Sequence, residues 1–111
     1  MSDCIFCKII NKQLPAEFIY EDSEAVVFKD IQPKAPVHVL VVPKKHIASL
    51  AELSSSDQAV MANMMMNLAS IAKKVGLNDG FRTIINTGQG GGQEIDHLHV
   101  HILGGRPLPG F

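Results

Sequence analysis

The chain has no imbalance of charge. Ten Lys and Arg stand against eleven Asp and Glu, a net charge of −1 over 111 residues. That excludes the basic footprint of a domain whose main ligand is DNA or RNA, and no charge run marks a membrane surface. No apolar stretch approaches the roughly 20 residues of a membrane span. The apolar start of MSDCIFCKIINK is broken by Lys8, unlike a secretory signal. A cytoplasmic protein is expected. Cysteine is scarce, with only Cys4 and Cys7, and a reducing compartment disfavours a structural disulfide between them. Repeats, linkers and low-complexity tracts are missing, so one domain over residues 1–111 is expected.

What is present is apolar and patterned. Hydrophobic residues make up 46% of the chain, enough for a core. Residues 4–11 suit a short helical turn ended before Pro15. FIYED (18–22) and AVVFKD (25–30) suit two strands turning at Ser23 and Glu24. IQPKAP (31–36) is irregular. VHVLVV (37–42) is a strand stopped by Pro43, with His38, Leu40 and Val42 on one face. Ser55 with Gln58 has capping-box spacing. Val60, Met64, Leu68, Ile71 and Val75 then repeat as the apolar stripe of a helix, with Lys73, Lys74 and Gly76 at its end. The methionines at 64–66 read as core packing. FRTIIN (81–86) is a strand, and the loop TGQGGGQ leads into IDHLHVHILGG. The strands are not separated by helices, so the fold class is α+β: a mostly antiparallel sheet of about five strands, one long helix and a short N-terminal helix.

The chain holds five histidines, and three of them, His97, His99 and His101, alternate with Leu98 and Val100. On a strand, period two puts all three imidazoles on one face and Leu98, Val100 and Ile102 on the other. Such a face suits a solvated surface, a metal site or nucleophilic catalysis. Gly88, Gly90, Gly91 and Gly92 stand directly before it, where flexible backbone can turn N–H groups toward an anion. No Gly-Lys-Ser/Thr follows, so this is not a Walker loop. Cys4-Ile-Phe-Cys7 leaves three chemistries open: a redox pair, two packed thiols, or half of a four-ligand zinc site.

His97-Leu-His99-Val-His101-Ile-Leu103 resembles the motif of the histidine triad (HIT) superfamily. CIFCKII, FKDIQPKAPVHVLVVPKKHI, IINTGQGGGQ and HILGGRP resemble its nucleotide-binding branch, over nearly the whole chain. The resemblance implies a HIT-like fold, paired into a homodimer, a purine nucleotide ligand of AMP or GMP type, and hydrolysis of nucleoside 5′-phosphoramidates at the P–N bond. By the same resemblance His99 is the nucleophile that carries a nucleotidyl intermediate, His101 contacts phosphate and the leaving group, and His38 supports the triad from behind. The loop N–H groups and Asn86 would bind phosphate oxygens. Asp30 matches the ribose-binding acid, and Ile5, Phe6, Ile9, Leu14, Phe28, Ile31 and Leu40 match the base pocket. Gly92, Gln93, Glu94 and Ile95 complete the nucleotide site. Relatives that begin with CxxC use two histidines beside it, so zinc would be held by Cys4, Cys7, His46 and His97; no organic cofactor is implied. Glu94 replaces a serine of some relatives and Asp96 an aromatic residue, which puts the leaving-group preference in question. A dinucleoside polyphosphate hydrolase and a non-catalytic nucleotide- or zinc-binding regulator stay open as alternatives.

Overall fold

The computed structural model describes residues 3–110. Five strands form one antiparallel sheet: β1 (Phe18–Glu21), β2 (Ala25–Lys29), β3 (Val37–Pro43), β4 (Arg82–Ile84) and β5 (Val100–Gly104), in the order β1-β2-β3-β5-β4. Two helices pack on it, α1 (Ile5–Ile10) and α2 (Gln58–Lys74). The expected α+β architecture is the one observed.

Alternation along the strands sorts the core into two clusters, one on each face of the sheet. Ala25, Val27, Val39, Val41, Val100 and Ile102 pack with Val60, Met64, Ile71 and Ala72 of α2. Val26, Phe28, Leu40 and Val42 pack with Phe6 of α1 on the opposite face. Register fixes which residues share a face. Phe28 stands opposite Leu40, Leu40 opposite His101, and Ile84 opposite His101. His38 stands opposite Leu103. The α1 face therefore carries two histidines among apolar neighbours.

The long helix differs from expectation at its start. The capping pair is Ser54 and Asp57, one residue earlier than Ser55 and Gln58, and it caps the 3-10 turn Ser55–Asp57 that leads into α2: the Ser54 N–H donates to Asp57 Oδ2 at 3.0 Å. Asp57 is selected because its buried carboxylate also meets Lys45 Nζ at 2.5 Å. The helix ends as expected. Gly76 takes φ +90, and the Leu77 N–H reaches back to the Ala72 carbonyl at 2.8 Å, closing the last turn over buried Leu77. Pro43 does not stand outside β3 but is its last residue, paired with Ala25. No helix among the described residues is long and apolar enough to cross a membrane.

Candidate active site and metal centre

Only His101 lies within β5; His97 and His99 stand on the irregular segment before it. The expectation of three histidines on one regular strand is thus corrected. The Leu98 N–H leaves the sheet ladder and donates to the Ile47 carbonyl at 2.7 Å, which ties this segment to the loop after β3. All three imidazoles still face the α1 side. Phe6 lies edge-on to His97 and His99, with ring centroids 5.8 and 5.1 Å away, and the His99 and His101 rings are 5.0 Å apart. Val100 and Ile102 point into the α2 core as expected.

Main-chain groups, whose polarity is fixed, assign the imidazole protons. The His97 carbonyl lies 2.7 Å from His99 Nδ1, so that nitrogen carries the proton and Nε2 keeps its lone pair. The Pro43 carbonyl lies 2.8 Å from His97 Nε2, which leaves the His97 Nδ1 lone pair toward the cysteines. The Lys34 N–H donates to His38 Nδ1 at 3.1 Å, so His38 carries its proton on Nε2. That proton goes to His101 Nδ1 at 2.9 Å, with Asp30 Oδ2 at 3.4 Å beside it. Neutral His101 therefore carries its own proton on Nε2. Burial favours the neutral forms of His97, His38 and His101. It lowers the His101 pKa to about 4, helped by the positive charge His99 and His38 would carry. Burial also lowers His38, against the opposing pull of Asp30.

His38, His99 and His101 line a cleft of about 800 Å³ between α1, β2, β3 and the glycine loop. Of the residues expected there, Ile5, Phe6, Ile9, Phe28, Asp30, Ile31, His38, Leu40, Asn86, Gly92, Glu94, Ile95, His99 and His101 line it. Leu14 and Gln93 do not. Leu14 is exposed, and the Gln93 side chain is occupied by main-chain groups: Oε1 accepts from the Gly88 N–H and Nε2 donates to the Ala48 and Ile95 carbonyls, tying the loop to the segment after β3. Asp30 holds a turn, because its Oδ1 accepts the Gln32 N–H at 2.8 Å, while Oδ2 lies near His38. Ile19, Lys34, Ile84 and Leu103 also line the cleft and were missed. The Lys34 N–H has no signature in sequence, since any residue but proline supplies it.

The glycine loop is less of an anion cradle than its composition suggests. The N–H groups of Gly88, Gly91, Gly92 and Gln93 all donate within the loop. Asn86 Nδ2 donates to the Gly91 carbonyl at 2.8 Å. Gly88 and Gly92 take φ +71 and +80, so glycine serves the turn itself there.

Behind the triad, Cys4, Cys7, His46 and His97 place four ligand atoms within 4.8 Å of one another. Cys4 Sγ is 3.2 Å from His97 Nδ1, and Cys7 Sγ is 3.4 Å from His46 Nδ1. Two thiols and two imidazoles converging on one point fit a tetrahedral ion that favours sulfur and nitrogen donors. His97 Nδ1 presents the lone pair such an ion needs.

Fold and site together define a small α+β protein with proton-ordered imidazoles on the wall of an apolar cleft and a Cys/His cluster behind them. A family model described as scavenger mRNA decapping enzyme C-term binding matches residues 3–107. Protein HitA of Neisseria gonorrhoeae is 55% identical over 104 residues, 94% of this chain and 97% of that protein. A histidine triad protein from Clostridium difficile superposes with a TM-score of 0.94 at 45% identity, over 100% of this chain and 97% of that one. A HIT family hydrolase from Legionella pneumophila Philadelphia 1 superposes with a TM-score of 0.92 at 41% identity, over 96% of each chain. The chain belongs to the histidine triad superfamily, that of the HIT family hydrolases.

Proposed function

We propose that the protein is a nucleotide-binding hydrolase that cleaves purine nucleoside 5′-phosphoramidates to a nucleoside monophosphate and an amine. The observation that carries this reading is the proton order of the histidines. His99 keeps its Nε2 lone pair while Nδ1 is tied to the His97 carbonyl, and His101 carries an Nε2 proton beside it. In the first step His99 Nε2 attacks phosphorus and the P–N bond breaks. The departing nitrogen takes a proton from His101 Nε2. Water then attacks the same phosphorus and gives a proton back to His101 Nε2, and the P–His99 bond breaks to release the monophosphate. His38 and Asp30 hold His101 in the donating tautomer.

The apolar wall of Ile5, Phe6, Ile9, Phe28 and Leu40 would take a purine, and Asp30 would accept ribose hydroxyl protons. Cys4, Cys7, His46 and His97 would hold zinc. A zinc ion with four protein ligands supplies rigidity and has no open position for substrate. Two copies of the chain would pair as a homodimer, which is supported by exposed apolar Phe81 and by Met65 and Met66, which are exposed where core packing is expected, only Met64 of that run being buried.

The test is release of AMP from adenosine 5′-phosphoramidate and from diadenosine polyphosphate, side by side, with wild type and His99→Ala. Preferential cleavage of the phosphoramidate, lost in the variant while AMP still binds, supports the reading. Preferential cleavage of the dinucleotide replaces it with a P–O–P hydrolase. Equal activity in the variant removes His99 as nucleophile.

A further inference from the structure

The two cysteines are placed for chemistry besides ligation. Cys4 stands at the start of α1 and Cys7 lies within it, and the Cys7 N–H donates to Cys4 Sγ at 3.4 Å. The sulfurs lie within 4.8 Å of each other; both thiols are free and part-exposed. Rotation of two side chains closes this distance to a disulfide, which is shorter than the separation of two thiolates on one ion.

What surrounds the pair links it to the nucleophile. The His97 ring faces the cysteines, while its own carbonyl holds the His99 proton. Phe6, between Cys4 and Cys7 in sequence, touches His97 and His99 and lines the cleft. A covalent change at sulfur therefore acts on residues that set both the tautomer of His99 and the wall of the cleft.

We propose that Cys4 and Cys7 form a reversible redox pair, oxidised by hydroperoxides to a disulfide that releases the ion of the Cys/His cluster and weakens the nucleotide cleft. One thiolate attacks a peroxide oxygen and becomes a sulfenic acid, with water or an alcohol leaving. The second thiolate attacks that sulfur, and hydroxide leaves as the S–S bond forms. The two sulfurs lose two electrons and the peroxide gains them; a dithiol reverses the exchange. Loss of both sulfur donors leaves the Pro43 carbonyl as the one hydrogen-bond partner of the His97 ring among the described residues. The coupling to the cleft rests on the nucleotide reading above, whereas the sulfur chemistry does not.

The test takes the full chain, reduced and loaded with Zn²⁺, and treats it briefly with a small excess of hydrogen peroxide. Intact mass, zinc release to a chromogenic chelator, AMP affinity and the ¹⁵N resonances of the His99 ring are then read. The expected result is a mass loss of about 2 Da, release of the bound zinc, AMP binding weaker by at least about fivefold, and a shifted His99 resonance. Dithiol with Zn²⁺ should restore all four. Cys4→Ser should gain oxygen at Cys7 and never lose two mass units. Mass gains of about 16 or 32 Da in the wild type, or no change in mass, would overturn the redox pair. A disulfide that leaves AMP affinity and the His99 resonance unmoved would overturn the coupling. If reduced protein does not bind AMP, the nucleotide reading fails, and mass and resonance still decide this proposal.

Discussion

His99 Nδ1 lies 2.7 Å from the carbonyl oxygen of His97, two residues back along the same segment. That contact decides which nitrogen of His99 faces the cleft. At pH 7, ring-nitrogen NMR should find His99 protonated on Nδ1, and His38 and His101 protonated on Nε2. The reverse tautomer at His99 would leave no lone pair toward phosphate, and the proposed attack would fall.

Asp30 has two tasks that one substitution separates. Asp30→Asn keeps an Oδ1 acceptor for the Gln32 N–H, so the turn survives. It removes the charge that would accept ribose protons. AMP affinity by calorimetry should weaken by about 1.5–3 kcal/mol, the worth of a hydrogen bond to a charged group. Unchanged affinity would make Asp30 a turn residue only.

Stability should depend on pH through His101. Its folded pKa is about 4 against an ordinary 6.5, because burial penalises the charged ring. Between those values the unfolded chain binds more protons, so stability rises with pH across the window and is lost on acidification through it. Above about 6.5 the contribution is complete and flat. Urea midpoints from pH 7.5 to 4.5 should show this slope, and His101→Gln should reduce it. Equal slopes in both proteins would mean that other groups carry the acid sensitivity.

The metal cluster makes a separate claim. His46→Ala removes one of four ligands while leaving the His38–His101 pair untouched. Elemental analysis should find zinc near one equivalent per chain in the wild type and well below that in the variant, with a lower melting temperature. Wild-type protein without metal would reduce the cluster to packed thiols and imidazoles.

Much of this architecture was legible in the sequence because it depends on period. The valines of β2 and β3 and the stripe Val60, Met64, Ile71 announce their elements through alternation and helical spacing. The strand-like pattern of His97 to His101 failed at its start because a tertiary bond, Leu98 N–H to the Ile47 carbonyl, outweighs local pattern. The capping pair shifted by one residue because Lys45, distant in sequence, neutralises Asp57. Gln93 reads as a ligand contact, but three hydrogen bonds commit its side chain to main-chain groups of Gly88, Ala48 and Ile95. The Cys4–Cys7–His46–His97 group came from family likeness, and its compactness needed coordinates. Proton placement was the least legible, since it is written in main-chain groups that every residue type shares.

That last property bears on how the site tolerates mutational drift. The three anchors of the imidazole protons are the Lys34 amide and the carbonyls of Pro43 and His97. Two belong to residues whose side chains are irrelevant to the anchoring. Lys34 can change to almost any amino acid without disturbing His38, and only proline deletes the donor. The carbonyl at position 43 is indifferent to the side chain it follows. The histidines are irreplaceable, but the frame that orders their protons is insured against substitution, because it is made of the one part of the chain that mutation does not rewrite.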